Sequence, residues 1–232
     1  MATLKTFLLW SLLAVTVAVG LPGSAWAVVV DGLVDGDQQY QALSQEVEQQ
    51  ITRAAQEVET LHSDFVQEKY LSMFEEKLAS TGQFYYQRPD LLRWELLTPI
   101  ASGFVIKGDG GRRWHQNIAG SEVFKLDQDK AMALIAQQLF AWAKADLVWL
   151  HSHYAITMVP RSAQQPIQLR LIPPAASAGF LSYLMITFAA DASYVDTVEI
   201  HENDGDYTII NFNNTVVNAR IESSIFVDRL NN

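Results

Sequence analysis

The chain has 232 residues, 49% of them hydrophobic and 18% charged, with no cysteine and a formal charge of −10 at pH 7. Such a composition excludes disorder, disulfides, thiol chemistry and thiolate metal sites. The acidic balance also argues against nucleic-acid phosphates or anionic membranes held through a basic patch. A globular protein with a sizeable core remains.

Residues 1–27 read as a secretory signal peptide. Lys5 gives a thin positive start, Phe7 to Leu21 an apolar stretch, and Ala25-Trp26-Ala27 a cleavage site. Cleavage after Ala27 leaves 15 basic against 26 acidic residues, a net charge of −11. The competing reading, a membrane anchor, is opposed by the helix breakers Gly20, Pro22 and Gly23. No later segment stays apolar for the roughly 20 residues that span a bilayer, so the expectation is a soluble exported protein. Residues 28–37 then form a flexible lead-in and 38–232 a single domain.

From Gln39 to Leu61 apolar residues recur in steps of three and four (Tyr40, Leu43, Val47, Ile51, Ala54 or Ala55, Val58, Leu61), which predicts an amphipathic helix. Asp64 to Lys77 is a first, bent strand. Strands follow at Gly82–Gln87, Leu91–Leu97, Gly103–Lys107, Arg112–Asn117 and Ser121–Asp127, separated by Arg88-Pro89-Asp90 and by the Gly108–Gly111 turn. A second helix, Ala131–Ala145, is apolar round more than half its girth. It is either sunk in the core or a cover that moves. Strands resume at Tyr154–Pro160, Ile167–Ile172, Leu184–Ala189, Val195–His201, Tyr207–Asn213 and Glu222–Val227; Phe180–Tyr183 has the composition of a short helical turn. The pattern predicts an antiparallel sheet wrapped around helices on its concave side.

Groups capable of chemistry are few. His151 and His153 would share one face of a strand, but no third metal ligand stands nearby. Glu75 and Glu76 are adjacent and diverge; Glu202 to Asp206 has hairpin composition. No nucleophile and base are paired as hydrolysis requires. The apolar residues are more informative. Phe84 and Tyr86, with Leu92, Trp94 and Leu96, share a face that Phe104, Ile106, Trp114 and Phe124 extend. Met132, Ile135 and Leu139 face it from the second helix. Such a wall is either ordinary core or the lining of a cavity that the helices leave unfilled. Arg88, at the rim, either donates hydrogen bonds to a covering element or merely lays its stem over aromatic rings.

Asp64-Phe65-Val66-Gln67, then Gly82-x-Phe84-Tyr85-Tyr86-x-Arg88-Pro89-x-Leu91-x-Arg93-Trp94-Glu95, with Pro99 and the Gly108–Trp114 hairpin, resembles the periplasmic outer-membrane lipoprotein carrier family (LolA-like proteins) over about residues 38–228. The resemblance implies an α+β fold: an incomplete antiparallel β-barrel, a strongly curved sheet, with helices covering its concave apolar face. It implies a soluble monomeric carrier, without cofactor, metal or catalytic residue. Such a carrier takes acyl chains of a lipoprotein or related lipid from an inner-membrane exporter through the periplasm to an outer-membrane acceptor. Arg88 would latch the lid, and residues 131–145 would supply part of it. Two features depart from the pattern: the chain ends at Asn232 without the longer extension of standard carriers, and it is strongly acidic. The alternative is a protein-interaction or sensor module on the same fold.

Overall fold

Antiparallel pairing organises nearly all of the computed structural model, which describes residues 34–35, 38–73, 76–175, 179 and 181–227. The expected signal peptide and residues 228–232 lie outside the described residues. Of the expected lead-in, Val34–Asp35 (β1) pairs with Gln38–Gln39 (β2); the rest lies outside as well. Gln41–Ala42 (β3) precedes helix α1, Gln45–Gln56. A six-stranded meander follows: β4 (Thr60–Tyr70), β5 (Leu78–Gln87), β6 (Leu91–Thr98), β7 (Ser102–Lys107), β8 (Gly110–His115) and β9 (Ser121–Lys125). Helices α2 (Lys130–Ala143) and α3 (Leu147–His153) lead to a second meander: β10 (Ala155–Met158), β11 (Gln168–Ile172), β12 (Leu181–Phe188), β13 (Val195–Glu202) and β14 (Tyr207–Val217). A 3-10 turn, Ser223–Phe226, ends the described chain.

The two meanders join where β14 pairs with β4, giving one twelve-stranded sheet in the order β3-β10-β11-β12-β13-β14-β4-β5-β6-β7-β8-β9. It stays open, with β3 and β9 at its edges: an incomplete antiparallel barrel with helices on its concave apolar face, as the α+β reading expects. This order explains the position of α2. The chain leaves β9 at one edge and must re-enter at β10, beside the other, so the connection crosses the sheet. A connection that crosses an apolar face must be apolar itself, and eight of the fourteen residues of α2 are buried.

Local chemistry sets the helix ends. Ser44 caps α1 by accepting from Val47 N, and Glu46 and Glu48 lie in its positive first turn. The helix is shorter than the 39–61 expected. Residues 41–42 pair with β10, while Val58 and Leu61 continue the apolar spacing into the loop and β4. Asn218 closes that loop, accepting from Glu59 N at 2.7 Å and donating to Glu57 O at 2.8 Å. The first strand of the meander accordingly starts at Thr60, before the expected Asp64.

Other expectations change too. Glu222–Val227 holds the 3-10 turn in place of a strand, and Leu181–Tyr183 belong to β12; Phe180 lies outside the described residues. His151 and His153 stand on α3, which Asp146 caps through Trp149 N. At i and i+2 of a helix they diverge: His151 meets Glu48 at 2.8 Å and His153 stacks on Trp149.

Candidate functional site

Three strands build the concave wall in register. Phe84 pairs with Trp94 and Trp94 with Phe104; Tyr86 pairs with Leu92 and Leu92 with Ile106. Leu96 continues the β6 row, and Phe124 on β9 reaches the same core. Phe65 stacks on Trp94 at 4.2 Å. Its ring lies over Gly82, where an added Cβ would meet Phe65 Cζ at 2.2 Å, so only glycine fits. From above, α2 lowers Met132, Ile135, Leu139 and Trp142 into this surface. Asp129 anchors the helix at its start, capping Met132 N at 3.1 Å and accepting from Arg113 Nη1 at 2.9 Å. Near its other end Gln138 Oε1 accepts from Tyr154 Oη at 2.7 Å.

Eleven of the twelve expected wall residues share this core; Trp114 does not. The turn after β7 is Gly108-Asp109, so β8 begins at Gly110 opposite Lys107. Alternation then sends Arg113 inward, opposite Phe104, and Trp114 to the convex face. Arg113 tolerates the inside because its guanidinium pairs with Glu122 and Asp129 and lies 5.9 Å from the centre of the Phe124 ring. On the convex face Trp114 covers the Arg93 guanidinium at 4.6 Å. Arg93 is fully buried there. It binds Glu95 through Nε and Nη2 and donates from Nη1 to the carbonyls of Ile225 and Val227.

Arg88 reaches the C-terminal turn of α1. Nε donates to Val58 O at 2.6 Å and Nη2 to Ala55 O at 2.9 Å, while the Glu59 carboxylate stands 3.9 Å off. Helix ends leave carbonyls short of intrahelical donors, and a guanidinium with its fork of donors serves two at once, although Ala55 O also accepts from Val58 N at 3.2 Å. Its partners lie on and just after α1, not on α2.

Among the described residues, α2 leaves little of the hollow that the sequence reading required open at its contact with Phe84 and Trp94. Leu139, Trp142 and Ala143 of α2 close against Leu61, Phe84, Trp94 and Phe212 of the sheet and leave a cavity of about 20 Å³. Drug-sized ligands occupy about 300–1,000 Å³. This close packing follows from α2 itself, whose large apolar residues lie against the concave wall. Phe84, Trp94 and Leu139 are the expected residues that line the cavity. Ser63, Tyr194, Val195 and Thr215 complete it. Sequence reasoning passed over these because two are small hydroxyls and Tyr194 stands in a turn.

Polar atoms in this apolar interior are poorly served. Trp94 Nε1, Trp142 Nε1, Tyr86 Oη and Gln138 Nε2 are buried with no hydrogen-bond partner among the described residues. Burial pushes the Tyr86 hydroxyl pKa up to about 12 and raises that of Tyr154 as well. At Tyr194 the same cause leads, with Asp196 and Asp191 adding to it.

No curated protein matches this chain. Among solved structures, MucB in the MucA/MucB complex of Pseudomonas aeruginosa is 14% identical, with a TM-score of 0.45 over 79% of this chain and 60% of that one. A LolA superfamily protein from Nitrosomonas europaea is 10% identical, with a TM-score of 0.39 over 78% and 97%. Lipoprotein LppX of Mycobacterium tuberculosis is 9% identical, with a TM-score of 0.42 over 77% and 99%. The chain thus spans less than two thirds of the length of MucB. No helix among the described residues is long and apolar enough to cross a membrane. Residues 56–228 match the family described as outer membrane lipoprotein carrier protein LolA, and the chain belongs to that family.

Proposed function

We propose that the chain carries acyl chains of a lipoprotein or related lipid through the periplasm, seating them between α2 and the concave sheet, and that α2 moves aside to admit them. The observation that carries this reading is α2: an apolar helix laid over an apolar wall, with unpaired polar atoms at the contact. A contact that leaves buried donors unpaired is weaker than its area suggests, by about 1–3 kcal/mol for each. Membership of the carrier family supports the same reading.

The mechanism is exchange. Each buried CH₂ is worth about 0.8 kcal/mol, but an incoming chain displaces Leu139, Ile135 and Met132 from comparable surroundings. Net affinity is the difference between two similar burials. That suits a carrier, which must load from an exporter and still release to an acceptor. Arg88 holds α1 against β5 while this happens and serves as a latch at that edge. Catalysis has no part in the scheme.

Titration of the mature chain with a fluorescent fatty acid, paralleled by native mass spectrometry, tests the reading. Saturable one-to-one uptake is expected, and absence of uptake in both assays contradicts it. The close contact of α2 with the wall favours one second reading, a module that binds protein on the same sheet. That module would show no acyl uptake while binding a partner with its interior closed.

A further inference from the structure

Resting on the carrier reading, we propose that the cavity seats a neutral carbonyl oxygen, the ester group of a diacyl lipid, held by the indole N–H groups of Trp94 and Trp142. Both side chains are more than nine-tenths buried, both line the cavity, and neither Nε1 finds an acceptor among the described residues. Indole nitrogen only donates, so the group that completes this site must accept.

The lining also says which acceptor. It contains no charged side chain. An ionised carboxylate brought here would lose its hydration with no counter-charge, which is far costlier than burying a neutral carbonyl that gains a hydrogen bond. The remaining polar atoms are hydroxyls: Ser63 Oγ lies 2.8 Å from Thr215 Oγ1, and Tyr194 bonds Thr215 in turn. These can turn toward a second ester oxygen.

With α2 in place the volume, about 20 Å³, holds about one water-sized group. The chains attached to the ester must therefore run into the space that α2 vacates. Trp142 is the penultimate residue of α2, and Ala145 just beyond adopts a left-handed backbone, φ 44°. A helix that pivots about this end moves Trp142 least, so the donors stay while the groove opens.

The test compares dipalmitoylglycerol with dihexadecylglycerol, its ether counterpart, as competitors of a fluorescent acyl probe on the mature chain. One hydrogen bond of about 1 kcal/mol corresponds to roughly fivefold in affinity. The ester is expected to bind roughly fivefold to 25-fold tighter, and this preference is expected to fall in Trp142→Phe and again in Trp94→Phe. Because Trp94 lies deep in the core and its variant can fail to fold, the indole N–H resonances of the unaltered chain give a second readout. Both should move downfield with the ester and not with the ether. Equal binding of ester and ether overturns this inference and leaves the carrier reading standing; binding of neither overturns both.

Discussion

Arg88, in the turn after β5, and Arg93, on β6, stand five residues apart and answer to different physics. Arg88 is partly exposed, and its two bonds to Ala55 O and Val58 O complete the end of α1. Arg88→Leu should cost roughly 2 kcal/mol, about 4–8 °C in Tm for a chain of this size, and loosen α1. Under the carrier reading it should also slow release of cargo; an unchanged release rate would remove Arg88 from the mechanism. Arg93 is buried with Glu95 on the convex face. Glu95→Leu strands that cation and should cost about 3–5 kcal/mol in chemical denaturation, whereas the double variant Arg93→Met/Glu95→Leu should recover part of the loss. Tyr86 supplies a pH signal. Folded, its hydroxyl stays protonated to about pH 12; unfolded, it ionises near pH 10. Stability present below pH 10 is therefore lost as pH rises toward 12. Tyr86→Phe should shrink that alkaline loss, leaving the share of Tyr154. At pH 7 it should be neutral or up to about 1 kcal/mol stabilising, because an unpartnered hydroxyl is removed.

Among the elements, the strands were the legible part. Alternation along β5, β6 and β7 identified Phe84, Tyr86, Leu92, Trp94, Phe104 and Ile106 as one face because period-2 patterning survives wherever one side is buried. Trp114 was misplaced because its face depends on how many of four consecutive turn residues join the strand. Two glycines do, and hydrophobicity gives no hint that an arginine faces inward. Helix α3 escaped because seven residues with two histidines carry little periodicity, and α1 looked too long because Val58 and Leu61 keep its spacing after the helix has ended. What no residue pattern could reveal is the fit of α2 into its groove: an apolar helix has the same composition whether it fills a hollow or roofs one. If α2 is the moving cover, its amides should exchange hydrogen faster than those of β4, β5 and β6, and acyl lipid should change exchange in α2 and its flanking turns while the sheet stays protected. Uniform protection of α2 and the sheet would speak against a separate opening.

For the whole molecule, the sheet order decides the behaviour. Joining two meanders through β14 and β4 puts β3 and β9 at opposite ends of the strand order. The connection from β9 to β10, through α2 and α3, packs on the concave face. An open sheet with a strap over it can change the volume beneath without breaking a strand pair, at the cost of apolar contacts that a lipid replaces. The central claim is that acyl chains enter by displacing α2. Since the chain has no cysteine, spin labels on Gln137→Cys and Lys107→Cys, both at exposed positions, one on α2 and one at the end of β7, report that motion directly. Saturating acyl lipid should shift their distance distribution outward by several ångströms, a good part of a helix diameter of about 10 Å. A distribution unchanged while lipid is bound would contradict the account.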